Sequence, residues 1–284
     1  NTYGGNTTIN AGTLVLSGSG TLGNPISLLT ISSGTLDIQN GALTIGSLVM
    51  NGTSPAITNS TGTSSLTVSG TSTLAGSVTT SSTQLYTGNV TLGAATTLTG
   101  TTITTNGTIV GGSNSLTITG NAVFGNEMTD TVTGLTTLSV SGTSTINTST
   151  VTSSSTQTYS GAVTLGTGVT MTTTSNGNIS FGASIGNSSA QNLTLDTGLT
   201  SGTISVTGAV GSGTALGTLT ITKSAGTTFS STVNAATIAL TDTKASTNIT
   251  FSDNVTATTG LTVSAGTGEG LRFQLARRSC EVSA

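Results

Sequence analysis

The chain has 284 residues, of which 5 are Lys or Arg, 8 are Asp or Glu and none is His. A charged fraction of 5%, against about a quarter in an ordinary soluble domain, leaves little charge-based chemistry. One Cys and no His exclude imidazole catalysis, a His- or Cys-built zinc site and an internal disulfide framework, and a net charge of -3 argues against nucleic acid, which requires a basic face.

Threonine (70), serine (41) and glycine (40) together make up more than half of the chain. Thr, Val and Ile have stiff χ1 angles and fit a pleated surface. With 2 Pro and few charges, the composition differs from that of a disordered chain, and it reads as folded and almost wholly β. Only 3% of residues are aromatic, so burial must come from many small aliphatic contacts. No run of 18 apolar residues is present, so no segment reads as a membrane-spanning helix. No secretory leader pattern is visible. Starting at Asn1, the sequence reads as a mature product or a fragment.

Along the chain, an apolar–Thr/Ser–apolar triplet recurs. It appears at Leu43-Thr44-Ile45, Leu66-Thr67-Val68, Val90-Thr91-Leu92, Leu116-Thr117-Ile118 and Leu138-Ser139-Val140. It continues at Val163-Thr164-Leu165, Leu193-Thr194-Leu195, Leu219-Thr220-Ile221, Ile238-Ala239-Leu240 and Leu261-Thr262-Val263. The steps range from 19 to 30 residues. Each triplet alternates in and out, as a strand with one buried face does, and Gly, Asn and Ser-Gly clusters between them signal turns. A longer repeat overlies this one. Leu66–Leu74 is echoed 72 residues on at Leu138–Ile146, and Ser82–Gly93 is echoed 73 residues on at Ser155–Gly166.

The spacing predicts a parallel β-solenoid over residues 1–268, of about 12 coils of roughly 19–30 residues each. Leu, Ile and Val would fill the bore, Thr and Ser would face outward, and corner Asn would take left-handed angles and ladder with the next coil's Asn. A string of Ig-like sandwiches fits less well, because that fold wants a buried Trp or tyrosine corner and a longer unit. Residues 269–284 break the pattern with Arg272, Arg277, Arg278 and Cys280. This tail reads as a cap on the last coil or as a terminus foreign to the array.

Tyr3, Gly4, Gly5, Thr7, Ile9, Gly12, Thr13, Leu14 and Leu16 occupy the places of the Tyr-Gly-Gly-x-Thr-x-Ile-x-x-Gly-Thr-Leu-x-Leu run, so the first 23 residues resemble the passenger-associated strand repeat of bacterial autotransporters. Residues 60–268 are similar, more loosely, to the repeat tracts of filamentous-haemagglutinin-like surface proteins, through the blocks at Thr83–Gly93 and Thr156–Gly166 and through Gly177–Phe181. The resemblance implies a secreted, right-handed parallel β-helix on a bacterial cell surface. Such a segment serves as a stalk, an adhesive surface or a matrix fibre. Its partners would be further copies of itself, end to end or laterally, or matrix and host glycans. It implies no enzyme activity and no cofactor.

Candidate sites are few. Tyr86 and Tyr159 hold equivalent places in the long repeat, each two residues after Gln84 and Gln157. They could stack on a sugar ring; the preferred reading is that each Tyr caps a coil corner while the Gln ladders with neighbouring coils. Asp242-Thr-Lys244 places opposite charges on one strand face, which reads as a solvated ion pair before a catalytic one. Glu127 and Asp130 are the closest carboxylates in sequence, too few for a calcium site, and the other carboxylates are dispersed. The sequons at Asn59, Asn89, Asn192 and Asn248 are given no role. Thr-x-Thr pairs such as Thr71/Thr73, Thr143/Thr145 and Thr220/Thr222 suggest an ice-binding face as an alternative. Coils of unequal length are expected to break such columns. A polysaccharide-acting β-helix enzyme fragment is the other alternative.

Overall fold

A computed structural model describes residues 3–18, 20–264, 272–275 and 280–282. The described residues contain strands, turns and no helix. The chain divides into two compact units, residues 1–136 and 137–284. Among the described residues the strands within each unit pair in parallel, each with one that lies about one coil away. The two units together hold about 12 turns of β-solenoid.

One coil carries three short strands. In the second unit Gln157–Tyr159, Val163–Leu165 and Val169–Thr173 follow one another around the coil. The chain then returns with Ile179–Phe181, which lies in register on Gln157–Tyr159. In the first unit the corners of two coils stay within the ladder. Val90–Thr105 and Ile109–Phe124 each run as a single 16-residue element, and the bends show as register shifts at Thr91/Thr96 and Thr99/Thr102.

Alternation fixes what lies inside. Gln84–Tyr86, Ser144–Ile146 and Val163–Leu165 each bury their outer residues and leave the middle one at the surface. Registered pairing then stacks inward residues on inward residues. Leu36 and Ile57 begin one such column, and it continues through Val78 and Leu98 to Ile118. The few aromatics follow the same rule: Tyr159 stacks on Phe181 at 5.2 Å between ring centroids, and Phe229 on Phe251 at 4.9 Å. The nearly parallel rings are imposed by the coil repeat, which sets one side chain directly above the next.

The structure departs from three sequence expectations. First, the triplets do not trace one column. Leu66 lies on Gln84, whereas Val90 lies on Ser72, so these two triplets sit on different faces, although the four triplets from Leu193 to Val263 do stack in one column. The advance per coil on one face varies, from 19 residues between Gln84 and Ile103 to 26 between Leu193 and Leu219. Second, the last triplet is not inward-closed: Val263 is 47% exposed, because no described strand covers that face beyond it. Third, three of the corner Asn side chains bond backbone rather than the next coil's Asn. Asn89, Asn178 and Asn192 accept instead from the backbone N–H of Thr108, Thr203 and Thr218 in the next coil. A carboxamide oxygen aimed at an amide satisfies a strand's first donor, which an Asn–Asn contact would leave open. Asn176 does take a left-handed φ of 58°, but the other positive-φ residues besides Gly are Ser54, Ser113 and Ser246.

Most of the tail expected to form a cap lies outside the described residues. Within it, the backbone of Arg272–Leu275 pairs in parallel with Asn248–Phe251, and that of Cys280–Val282 with Val255–Val263.

Close coil stacking has one local requirement that glycine meets. Gly120 has φ +131°, and a Cβ there would run into the Gly100 carbonyl oxygen of the preceding coil. Gly120→Ala is expected to lower stability by about 1–3 kcal/mol in urea denaturation. Gly260→Ala, which has no neighbour within 4 Å of the added carbon, is expected to change it by less than about 0.5 kcal/mol.

Candidate functional site

The sequence-named tyrosines and glutamines lie in the bore. Tyr86, Tyr159, Gln84 and Gln157 are all fully buried, so no ring face is offered to a sugar and none of the four is a surface contact. The Tyr86 hydroxyl donates to Gln84 Oε1 at 2.9 Å, and Gln84 Nε2 donates to the carbonyls of Val78 and Thr99. The second copy repeats this: Tyr159 donates to Gln157 Oε1, and Gln157 Nε2 to the carbonyls of Val151 and Thr172. The Gln does not ladder with another Gln. It joins its own coil to the next through two backbone carbonyls. Burial pushes both phenol pKa values up, well above the ordinary tyrosine value, which keeps each hydroxyl neutral and able to donate.

Charges are spread among separate coils. Asp37 is nearly covered. It accepts from Ser60 Oγ at 2.6 Å and Ser60 N at 2.9 Å in the next coil, and also from Gln39 Nε2 and Thr58 Oγ1. The Ser60 hydroxyl is the main cause that holds this carboxyl below the ordinary aspartate value; partial desolvation opposes it. In the loop before Thr131, Asp130 Oδ2 accepts from the amides of Asn126 and Glu127. That carboxylate is engaged in closing its own turn. Among the described residues no three of His, Cys, Asp and Glu group as metal ligands. Asp242 is buried, while Lys244 is exposed and donates from Nζ to the Thr200 carbonyl at 2.8 Å. A cavity of about 170 Å³ lies between the Thr21–Pro25 loop and Ala42–Thr44, with Leu22 and Leu43 in its wall.

The most regular chemical feature is on the outside. In the first unit Thr79, Thr99 and Thr119 are in register, and so are Ser77, Thr97 and Thr117. Val78, Leu98 and Ile118 between them point into the core. In the second unit a column runs Thr150, Thr170, Thr194, Thr220, Ala239 and Thr262. All of these residues are half-buried or exposed. Hydroxyls two residues apart lie roughly 6.6 Å from each other along the strand, and roughly 4.8 Å separates coils.

Unequal coil length therefore does not break these columns, contrary to expectation. The extra residues go into corners, and the strands keep their register. Of the threonines named from the sequence, Thr220 belongs to the long column, and Thr73 and Thr145 pair with Thr91 and Thr164. Sequence reasoning missed the columns through Thr99 and Thr170. Their signal was present as Thr97-Leu-Thr99, Thr117-Ile-Thr119 and Thr170-Met-Thr172. No protein family, curated protein or solved structure matches this chain.

Two expectations follow. Gln157→Leu strands the Tyr159 hydroxyl and two carbonyls, and should cost about 2–4 kcal/mol by urea denaturation. Because the folded-state pKa of Asp37 is depressed, its contribution is present above the ordinary aspartate range and is lost as pH falls below it. Hydrogen exchange at the Ser60 amide should accelerate through that acid window while the amides of buried strands in the same unit stay protected.

Proposed function

We propose that this chain is a non-enzymatic structural and adhesive β-solenoid of a bacterial cell surface or extracellular matrix. It associates with further copies of itself or with surface glycans. The observation that carries this reading is the registered array of outward hydroxyls on a rigid, parallel, hydrogen-bonded support. Each hydroxyl offers one weak donor and acceptor, worth about 1 kcal/mol or less. Many of them at a fixed repeat give avidity to any surface with its own repeat. The autotransporter and haemagglutinin resemblance of residues 1–23 and 60–268 supports the same class.

One observation also favours a second reading. An unbroken two-column hydroxyl grid at Ser77–Thr79, Thr97–Thr99 and Thr117–Thr119 is the geometry that orders a water layer, and hence the geometry for binding ice.

The full chain should co-sediment with insoluble β-glucan or chitin particles, or form filaments in electron micrographs. Thr194→Lys, a surface change that costs less than about 0.5 kcal/mol of stability, should weaken the association severalfold. A monodisperse protein that adheres to neither particle type would overturn the adhesive reading. A gap between freezing and melting points that disappears in Thr99→Lys would replace it with the ice-binding one.

A further inference from the structure

One corner of the coil carries a buried hydroxyl at five successive levels of the second unit and once in the first, where the next two coils have Gly100 and Gly120 instead. In the second unit Ser153, Thr173, Thr197, Ser224 and Thr243 occupy this place in successive coils, and Thr80 occupies it in the first unit. All six are buried to 97% or more. The segment after each varies in length. The next inward residue comes four positions later at Gln84 and Gln157, six at Ile179, seven at Ile204 and three at Thr227.

The hydroxyl's partner is nevertheless constant. Thr80 donates to the Ser82 carbonyl, Ser153 to Ser155, Thr173 to Gly177 and Thr197 to Gly202, at 2.6–3.1 Å. Each acceptor lies two residues before the inward residue that restarts the ladder. Where the segment is shortest, Ser224 Oγ reaches that residue directly and bonds Thr227 Oγ1 at 2.9 Å. Thr243 is the exception. Its hydroxyl has no partner among the described residues, and its loop is closed instead by Thr247 N and Oγ1 on the Lys244 carbonyl.

The geometry points to a loop-closing clamp: a buried Ser or Thr hydroxyl that grips the returning chain at a fixed distance from the next strand. Register is thereby made independent of how many residues the corner displays. This edge of the solenoid is built to carry insertions, and a longer loop at Thr197 or Thr173 leaves the ladder beneath it unchanged. Loop closure alone penalises length only weakly. What a longer loop endangers is the re-entry point, and the clamp fixes that point.

The test is an insertion of Gly-Ser-Gly-Ser between Leu199 and Thr200 in the full chain. Hydrogen exchange is read at Ile204 and Thr207, whose amides bond the Gly226 and Phe181 carbonyls. In the unsubstituted background protection should fall by less than about threefold. In Thr197→Val the same insertion should lower protection at least about fivefold further, whereas Thr197→Ser should behave as the parent does. If Thr197→Val does not fold, Thr173→Val with the insertion placed after Ser175 provides the same comparison at Ile179. Equal losses with and without the hydroxyl would overturn the clamp. So would a coupling of the same size at Thr243→Val with an insertion in its loop, where no clamp bond exists.

Discussion

The parallel backbone ladder between coils is the constraint from which the rest of the structure follows. Alternate residues of each strand bond opposite neighbours, as where Gln157 N bonds the Asn178 carbonyl of the next coil and Ser160 N the Val140 carbonyl of the preceding one. A ladder of this kind admits no slip, because a shift by one residue turns every inward side chain outward. Registered columns of aliphatic residues, stacked aromatics and outward threonine rows are three results of one backbone repeat. The composition suits it: Thr and Val have nearly the same shape, so the two faces of a strand differ by little more than a hydroxyl.

Polar atoms inside the bore show how strictly the ladder dominates. Gln84 and Gln157 sit at inward positions, and each donates to two backbone carbonyls and accepts from a Tyr hydroxyl. Ser72 and Ser144, equivalent places in the long repeat, are buried with hydroxyls that have no partner among the described residues. They lie on Val90 and Val163, where a small side chain fits and an aliphatic one would serve equally. An orphaned buried hydroxyl costs on the order of 1–3 kcal/mol. The ladder absorbs that cost because each coil adds its own hydrogen bonds and buried area to those of its neighbours.

The fold class was legible because its signals are local. Period-2 alternation, Gly and Asn at turns, and scarcity of aromatics are each visible in a window of a few residues. What could not be read was which segments become neighbours. The triplets Leu66-Thr67-Val68 and Val90-Thr91-Leu92 look alike, yet they lie on different faces, because three strands of the same pattern make up one coil. One triplet per coil holds from Leu193 to Val263 but not before it, and the unequal spacing, which led to the expectation of broken Thr columns, is taken up in the corners. The same ambiguity hid the place of Tyr86. Two residues after an inward Gln, period-2 alternation puts it inward as well, whereas the sequence reading makes it a corner cap or a sugar contact.

Threonine thus acts in two settings that the sequence does not distinguish. In the middle of a strand its hydroxyl faces water and repeats with the coil. At the closing corner the same group turns inward, loses its water and bonds a carbonyl of the returning chain. The first setting builds a surface whose chemistry is periodic, and the second keeps that surface periodic when coil lengths differ. A chain with coils from Gln84–Ile103 to Ile179–Ile204, unequal in length yet paired strand on strand in register, needs both. Regular hydroxyl rows on the outside therefore depend on irregular corners being closed from the inside.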